Sequence, residues 1–76
     1  MYLVRRVIAD FRSKSEKIIK LCKTLEEANT VMNTTIRTDE HLHAQFDTHE
    51  NYNGSFRAYN RGAYKYGSYD LYIEEV

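Results

Sequence analysis

Cysteine is almost missing from this chain. Cys22 stands alone among 76 residues, so no disulfide can close within the chain and no cysteine-based zinc site can be built. A chain without disulfides suits a reducing compartment, and the expected location is cytoplasmic. No apolar run approaches the ~18–20 residues that a membrane-crossing helix needs. The opening Met1-Tyr2-Leu3-Val4-Arg5-Arg6 places its charges after its apolar residues and shows no small-residue cleavage site, unlike a signal peptide. Proline is absent, and the three glycines are isolated from one another. There is accordingly no phosphate-binding loop and no glycine-rich dinucleotide turn, and neither G-x-S-x-G nor H-E-x-x-H occurs. No RNP, KH, zinc-finger or helix-turn-helix motif is present. Internal repeats, linkers and low-complexity segments are missing too. Residues 1–76 are read as one small domain with a thin core, non-enzymatic and without a cofactor.

What the chain does have is charge, unevenly placed. Formal net charge is zero. Residues 1–23 nevertheless carry seven Lys or Arg against Asp10 and Glu16, giving +5. Residues 24–50 carry Arg37 against six carboxylates, giving −5, and the rest balances. Such halves can pair with each other inside a small domain, or the basic half can face an anionic partner.

The sign changes at Thr24, which is also the clearest structural signal. Thr24 followed by Glu27 is a capping-box pattern, and Glu26 and Glu27 lie where a helix dipole favours negative charge. Leu25, Ala28, Met32 and Thr35/Ile36 then recur at helical spacing. The pattern predicts a helix from about Leu25 to about Arg37. Thr30, Val31, Thr34 and Thr35 are β-branched, so packing must hold it.

Tyr2 to Phe11 fits a strand by its β-branched content, with a basic turn at Arg12-Ser13-Lys14-Ser15 and a second strand over Lys17 to Lys23. The rival is helical: Leu3, Val4, Val7, Ile8 and Phe11 also satisfy a 3.6 period, and one long helix could run from Ser15 through Met32. The box at Thr24 argues against that long helix. In the strand reading, Leu3, Val7 and Phe11 face the helix, and Tyr2, Val4 and Ile8 lie on the open side. After the helix, His41 to Asp47 alternates strictly and reads as a half-buried strand. Thr48 to Ser55 reads as a turn, Phe56 to Asn60 as a strand, Arg61-Gly62 and Gly67-Ser68 as turns or a bulge, and Tyr69 to Glu75 as the last strand. The sum is ββαβββ: an α+β fold, an antiparallel sheet of four to five strands with one helix packed on one face. One helix covers one face, so the other is solvated or binds something. A homodimer through the open sheet face is one way to cover it.

Six of the seven tyrosines fall in the C-terminal third, with Arg57, Arg61 and Lys65 interleaved. Tyrosine offers rigid area with a polar tip and is favoured at contact surfaces; it is also a common strand former that can simply cover a thin sheet. The expected partner-binding set is Tyr52, Arg57, Tyr59, Arg61, Tyr64, Lys65 and Tyr66. Arg5, Arg6, Arg12, Lys14, Lys17 and Lys20 form an alternative, nucleic-acid-binding set on the N-terminal hairpin, with tyrosines stacking bases. On a strand His41 and His43 share a face, and with His49 or a nearby carboxylate they have metal-ligand character; a solvated polar edge explains them as well, and no metal is expected. Cys22 reads as a buried structural residue despite Lys20 and Lys23 beside it.

In size and build the chain resembles small phage and mobile-element accessory proteins, anti-CRISPR inhibitors among them. The likeness is carried by no motif and brings no residue roles. It implies a non-enzymatic inhibitor that docks on a larger protein or nucleoprotein.

Overall fold

The computed structural model describes residues 1–10, 12–60 and 67–76. Two strands open the chain, β1 (Tyr2–Ala9) and β2 (Lys14–Cys22). They form an antiparallel hairpin, not a helix. Its turn is set by Asp10, whose Oδ1 accepts from the Arg12 and Ser13 amides at 2.7 Å each. Those amides hold the Asp10 carboxyl below its ordinary range. The register shifts between Val4 and Arg5, leaving Ile19 without a β1 partner. This bulge puts Ile19 and Cys22 on the same side, where both touch the core.

Helix α1 (Leu25–Thr38) starts where the sequence places it. Thr24 Oγ1 accepts from the Glu27 amide at 3.1 Å. The Glu27 carboxylate reaches back one residue further than a capping box requires, to the Lys23 amide at 3.3 Å, and takes Lys20 Nζ at 3.3 Å. Ala28 and Met32, one turn apart, are buried. Thr30, Thr35 and Thr38 return their hydroxyls to carbonyls four residues earlier, a back-bonding that slightly weakens a helix and leaves packing to hold it.

His41 to Gln45, the larger part of the stretch 41–47 expected as a strand, instead belong to a second helix, α2 (Glu40–Gln45), with Phe46 as its extended C-cap. Asp39 Oδ1 caps it by accepting from the His41 amide at 3.0 Å. Leu42 and Phe46 contact the core, and their spacing of four suits a helix as well as a strand. Ala44, the third apolar residue of the alternation, is exposed. The third strand comes later: β3 (Thr48–Tyr52) occupies most of the expected turn and pairs with β4 (Ser55–Tyr59). The turn itself is Asn53-Gly54. Gly54 has φ 82° and Asn53 has no positive φ, the sign pattern of a type II turn. β5 (Ser68–Glu75) closes the sheet in the order β2-β1-β5-β4-β3, antiparallel throughout. Among the described residues the architecture is an α+β fold with five strands and one main helix.

The faces of β1 are the reverse of those expected. Tyr2, Val4 and Ile8 join the core under the helices, while Val7 is the cross-strand partner of Asp70 on the other side. Phe11 lies outside the described residues. Arg6 decides the orientation: it shares the helix side and its Nη1 meets Asp39 Oδ2 at 3.2 Å. Tyr69, fully buried, donates its hydroxyl to the same oxygen at 2.5 Å. One carboxylate thus caps α2, pairs with β1 and satisfies the phenol of β5.

This cluster has a pH signature. Burial raises the Asp39 carboxyl, but hydrogen bonds from Tyr69, Arg6 and the His41 amide outweigh it and hold the group below 3.8. Its contribution is full above that value and fades as pH falls through the lower folded one. Burial, then the Asp39 carboxylate, push the Tyr69 phenol above its ordinary 10.0. The folded protein keeps a proton that the unfolded chain releases, so stability falls as pH rises past that value. Between about pH 9 and about pH 11 the urea midpoint of the wild type should fall relative to that of Tyr69→Phe, which has no phenol to ionise. Parallel midpoints across that range would refute it.

Candidate binding face

The helices cover one side of the sheet. The other side is built from every second residue of five strands. Its central row runs Glu16, Val7, Asp70, Arg57, Glu50, each the cross-strand partner of the next. The row beside it runs Ile18, Arg5, Tyr72, Ser55, Tyr52, and the outer rows add Leu3 with Leu21 and Ser68 with Tyr59. Large apolar side chains are left open here: Ile18, Leu21, Tyr52 and Tyr72 are 61%, 50%, 55% and 36% exposed.

Hydrogen bonds fix the polar groups among them. Glu50 accepts from Tyr59 at 2.8 Å and from Tyr52 through its other oxygen. The hydrogen bond to Glu50 raises the Tyr52 phenol above its ordinary value. Asp70 and its cross-strand partner Val7 are each only 6% exposed. Arg57 Nε donates to its Oδ1 at 2.8 Å and Ser68 Oγ to its Oδ2 at 3.0 Å. A buried charge needs such partners. The bond to Asp70 raises the Arg57 pKa further and holds the guanidinium in place, while just over half of its side chain remains exposed.

Three shallow depressions mark the face. One of about 200 Å³ lies among Tyr52, Ser55, Phe56, Arg57, Asp70 and Tyr72. A second, about 410 Å³, is lined by Glu50, Arg57, Tyr59, Gly67 and Ser68. The third, about 250 Å³, lies toward β2 among Leu3, Arg5, Glu16, Lys17 and Ile18. Arg57 is the wall shared by the first two.

Of the expected partner-binding residues, Tyr52, Arg57 and Tyr59 meet on this face. Arg61, Tyr64, Lys65 and Tyr66 lie outside the described residues. The basic residues of the hairpin are divided. Arg5 and Lys14 share the open side, at 3.7 Å from Glu74 and 3.8 Å from Glu16. Arg6 and Lys20 face the helices and bind Asp39 and Glu27. Lys17 is across from Arg6, and Arg12 sits in the turn.

The histidine pair does not survive as a pair. On a helix, residues two apart point in different directions. His43 Nε2 lies 2.8 Å from the Ile36 carbonyl, so that nitrogen carries the proton. Its ring packs edge-on to His49, which packs on Phe56. Among the described residues no three His, Cys, Asp or Glu gather as a metal site requires. Cys22 is fully buried in the core. Tyr69, one of the six C-terminal tyrosines and not in the expected partner-binding set, belongs to the core. Asp70, Tyr72 and Ser55 also lie on this face and are outside the expected set, although the alternation of Tyr69 to Glu75 already puts Asp70 and Tyr72 together, opposite Leu71.

Among the described residues no helix is long and apolar enough to cross a membrane. Comparison with protein families, with curated proteins and with solved structures finds no match to this chain.

Proposed function

We propose that this protein is a non-enzymatic binding module that docks on a larger protein or nucleoprotein through the open face of its sheet. One observation carries the reading: Tyr52, Tyr72, Ile18 and Leu21 stay exposed on a face whose Arg57 is held by a buried carboxylate. Aromatic residues and a fixed arginine are the typical energetic centres of protein interfaces. Ordering them in advance lowers the entropy lost on binding. A cytoplasmic inhibitor of the phage-accessory, anti-CRISPR type is the biological role that suits such a module.

Tyr52→Ala combined with Tyr72→Ala tests this. Both side chains are exposed, so stability should change by no more than about 1 kcal/mol. Affinity for the partner captured by the wild type should fall by at least about tenfold. Unchanged capture removes the face from consideration. A second copy of the chain is the competing occupant. A dimer seen in sedimentation equilibrium and dissolved by the double variant would assign the face to self-association instead.

Nucleic acid along the basic hairpin is the alternative, favoured by the position of β2 at the sheet edge. Arg5, Arg6, Lys14 and Lys20 have carboxylate neighbours within 4 Å among the described residues, and lysines on an edge strand also serve to prevent strand addition. Both points weigh toward protein docking.

A further inference from the structure

We propose that the depression between Tyr52 and Tyr72 is a carboxylate subsite, taking one Asp or Glu side chain of the docked protein against Arg57. This rests on the docking role above and specifies its chemistry.

The Tyr52 hydroxyl of this depression is spent on Glu50, but other donors keep capacity. Arg57 uses Nε on Asp70, which leaves the Nη1/Nη2 edge of its fork for a second planar acceptor. The Ser55 and Tyr72 hydroxyls line the same space, and neither has a side-chain partner among the described residues. The acceptor there is already engaged: Asp70 takes Arg57 on one oxygen and Ser68 on the other. A second cation, Arg5, is the cross-strand neighbour of Tyr72. The adjoining depression beyond Arg57 is different, because it is lined by the Glu50 carboxylate, an acceptor already taken by Tyr52 and Tyr59. The 200 Å³ of the first suits a side chain rather than a larger ligand. Donor count, the open edge of the guanidinium and size select a carboxylate on the Tyr72 side of Arg57.

The test is an NMR titration of the protein with N-acetyl-glutamate amide, with N-acetyl-glutamine amide as the neutral isostere and inorganic phosphate as a separate arm. The glutamate probe should shift the Arg57 Nε–H and the Ser55 and Tyr72 amides and saturate with a Kd on the order of 10 mM. The glutamine probe should not. Arg57→Gln should abolish the shifts. Because that change strands Asp70, Ser55→Ala with Tyr72→Phe serves as a milder variant, expected to weaken binding about tenfold. Equal shifts from both probes, or none, overturn the subsite. Phosphate binding about tenfold or more tighter than the glutamate probe overturns it in favour of a phosphate ligand. The docking role is read separately, by partner capture with the Tyr52→Ala/Tyr72→Ala variant. Capture that depends on those tyrosines, with no response to the glutamate probe, would keep the docking face and discard the subsite.

Discussion

Replacing Asp39 with Ala should lower the unfolding free energy by about 3 kcal/mol, from the loss of a cap and the stranding of buried partners. A chain of 76 residues has about 4–11 kcal/mol in total, so the variant sits near the edge of folding. The cap of α2 contributes about 1 kcal/mol. The Tyr69 hydroxyl, on a fully buried side chain, then has no acceptor, which costs about 1–3 kcal/mol. Arg6 loses the partner at 3.2 Å. In thermal denaturation the midpoint should drop by about 15 °C. Two further variants separate the causes. Asp39→Asn keeps an acceptor for the cap and for the phenol and should recover part of the loss. Adding Tyr69→Phe to Asp39→Ala should cost less than the two changes summed, because the stranded hydroxyl is gone. A change of under about 0.5 kcal/mol for Asp39→Ala would put that residue outside the structural core of the fold.

The second large effect is expected at Gly67. A Cβ there would lie 1.7 Å from the Ala9 carbonyl oxygen and 2.7 Å from both the Ala9 carbonyl carbon and the Asp10 Cα. All three are backbone atoms, so nothing flexible can give way. The residue also has φ +102°, beyond the left-handed region that other residues tolerate. Gly67→Ala must therefore separate β1 from β5 where Ala9 faces Ser68. The expected cost is about 3 kcal/mol or more. Gly54→Ala is the internal control. It has φ +82° but nothing within 4 Å of the added carbon, so only backbone strain of about 1 kcal/mol applies. Urea midpoints rank the two variants, and amide exchange at Ile8 and Ala9 should quicken in Gly67→Ala alone. Equal costs at the two glycines would contradict the close approach.

Much of this architecture was open to reading because its signals are local. Thr24 and Glu27 make the start of α1 visible, since a cap is a hydrogen bond between residues three apart. The stripe Ala28–Met32 and the alternation in Tyr69–Glu75 come from periods set by backbone geometry. On the candidate face, only the shared side of Arg57 and Tyr59 was readable, two positions apart in an expected strand; Tyr52 fell in an expected turn and joins them through the pairing of β3 with β4. Their row partners were not readable, because pairing Arg57 with Asp70 joins residues 13 apart through a register that no local pattern carries.

The composition and order of residues by themselves determined an α+β chain with a helix beginning after Thr24 and a strand over Tyr69 to Glu75, and left residues 2–23 between a strand hairpin and a helix. Tertiary structure decided what local patterns leave degenerate. Leu42 and Phe46 satisfy both a strand and a helix, and the Asp39 carboxylate, held by Arg6 and Tyr69, selects the helix. β3 has polar residues on both faces, as an edge strand can, so only its pairing with β4 makes it a strand. β1 carries apolar groups on both sides, and Arg6 reaching Asp39 settles which side is covered. In each case the deciding contact lies far along the chain, and its free energy exceeds the small local preference it overrides.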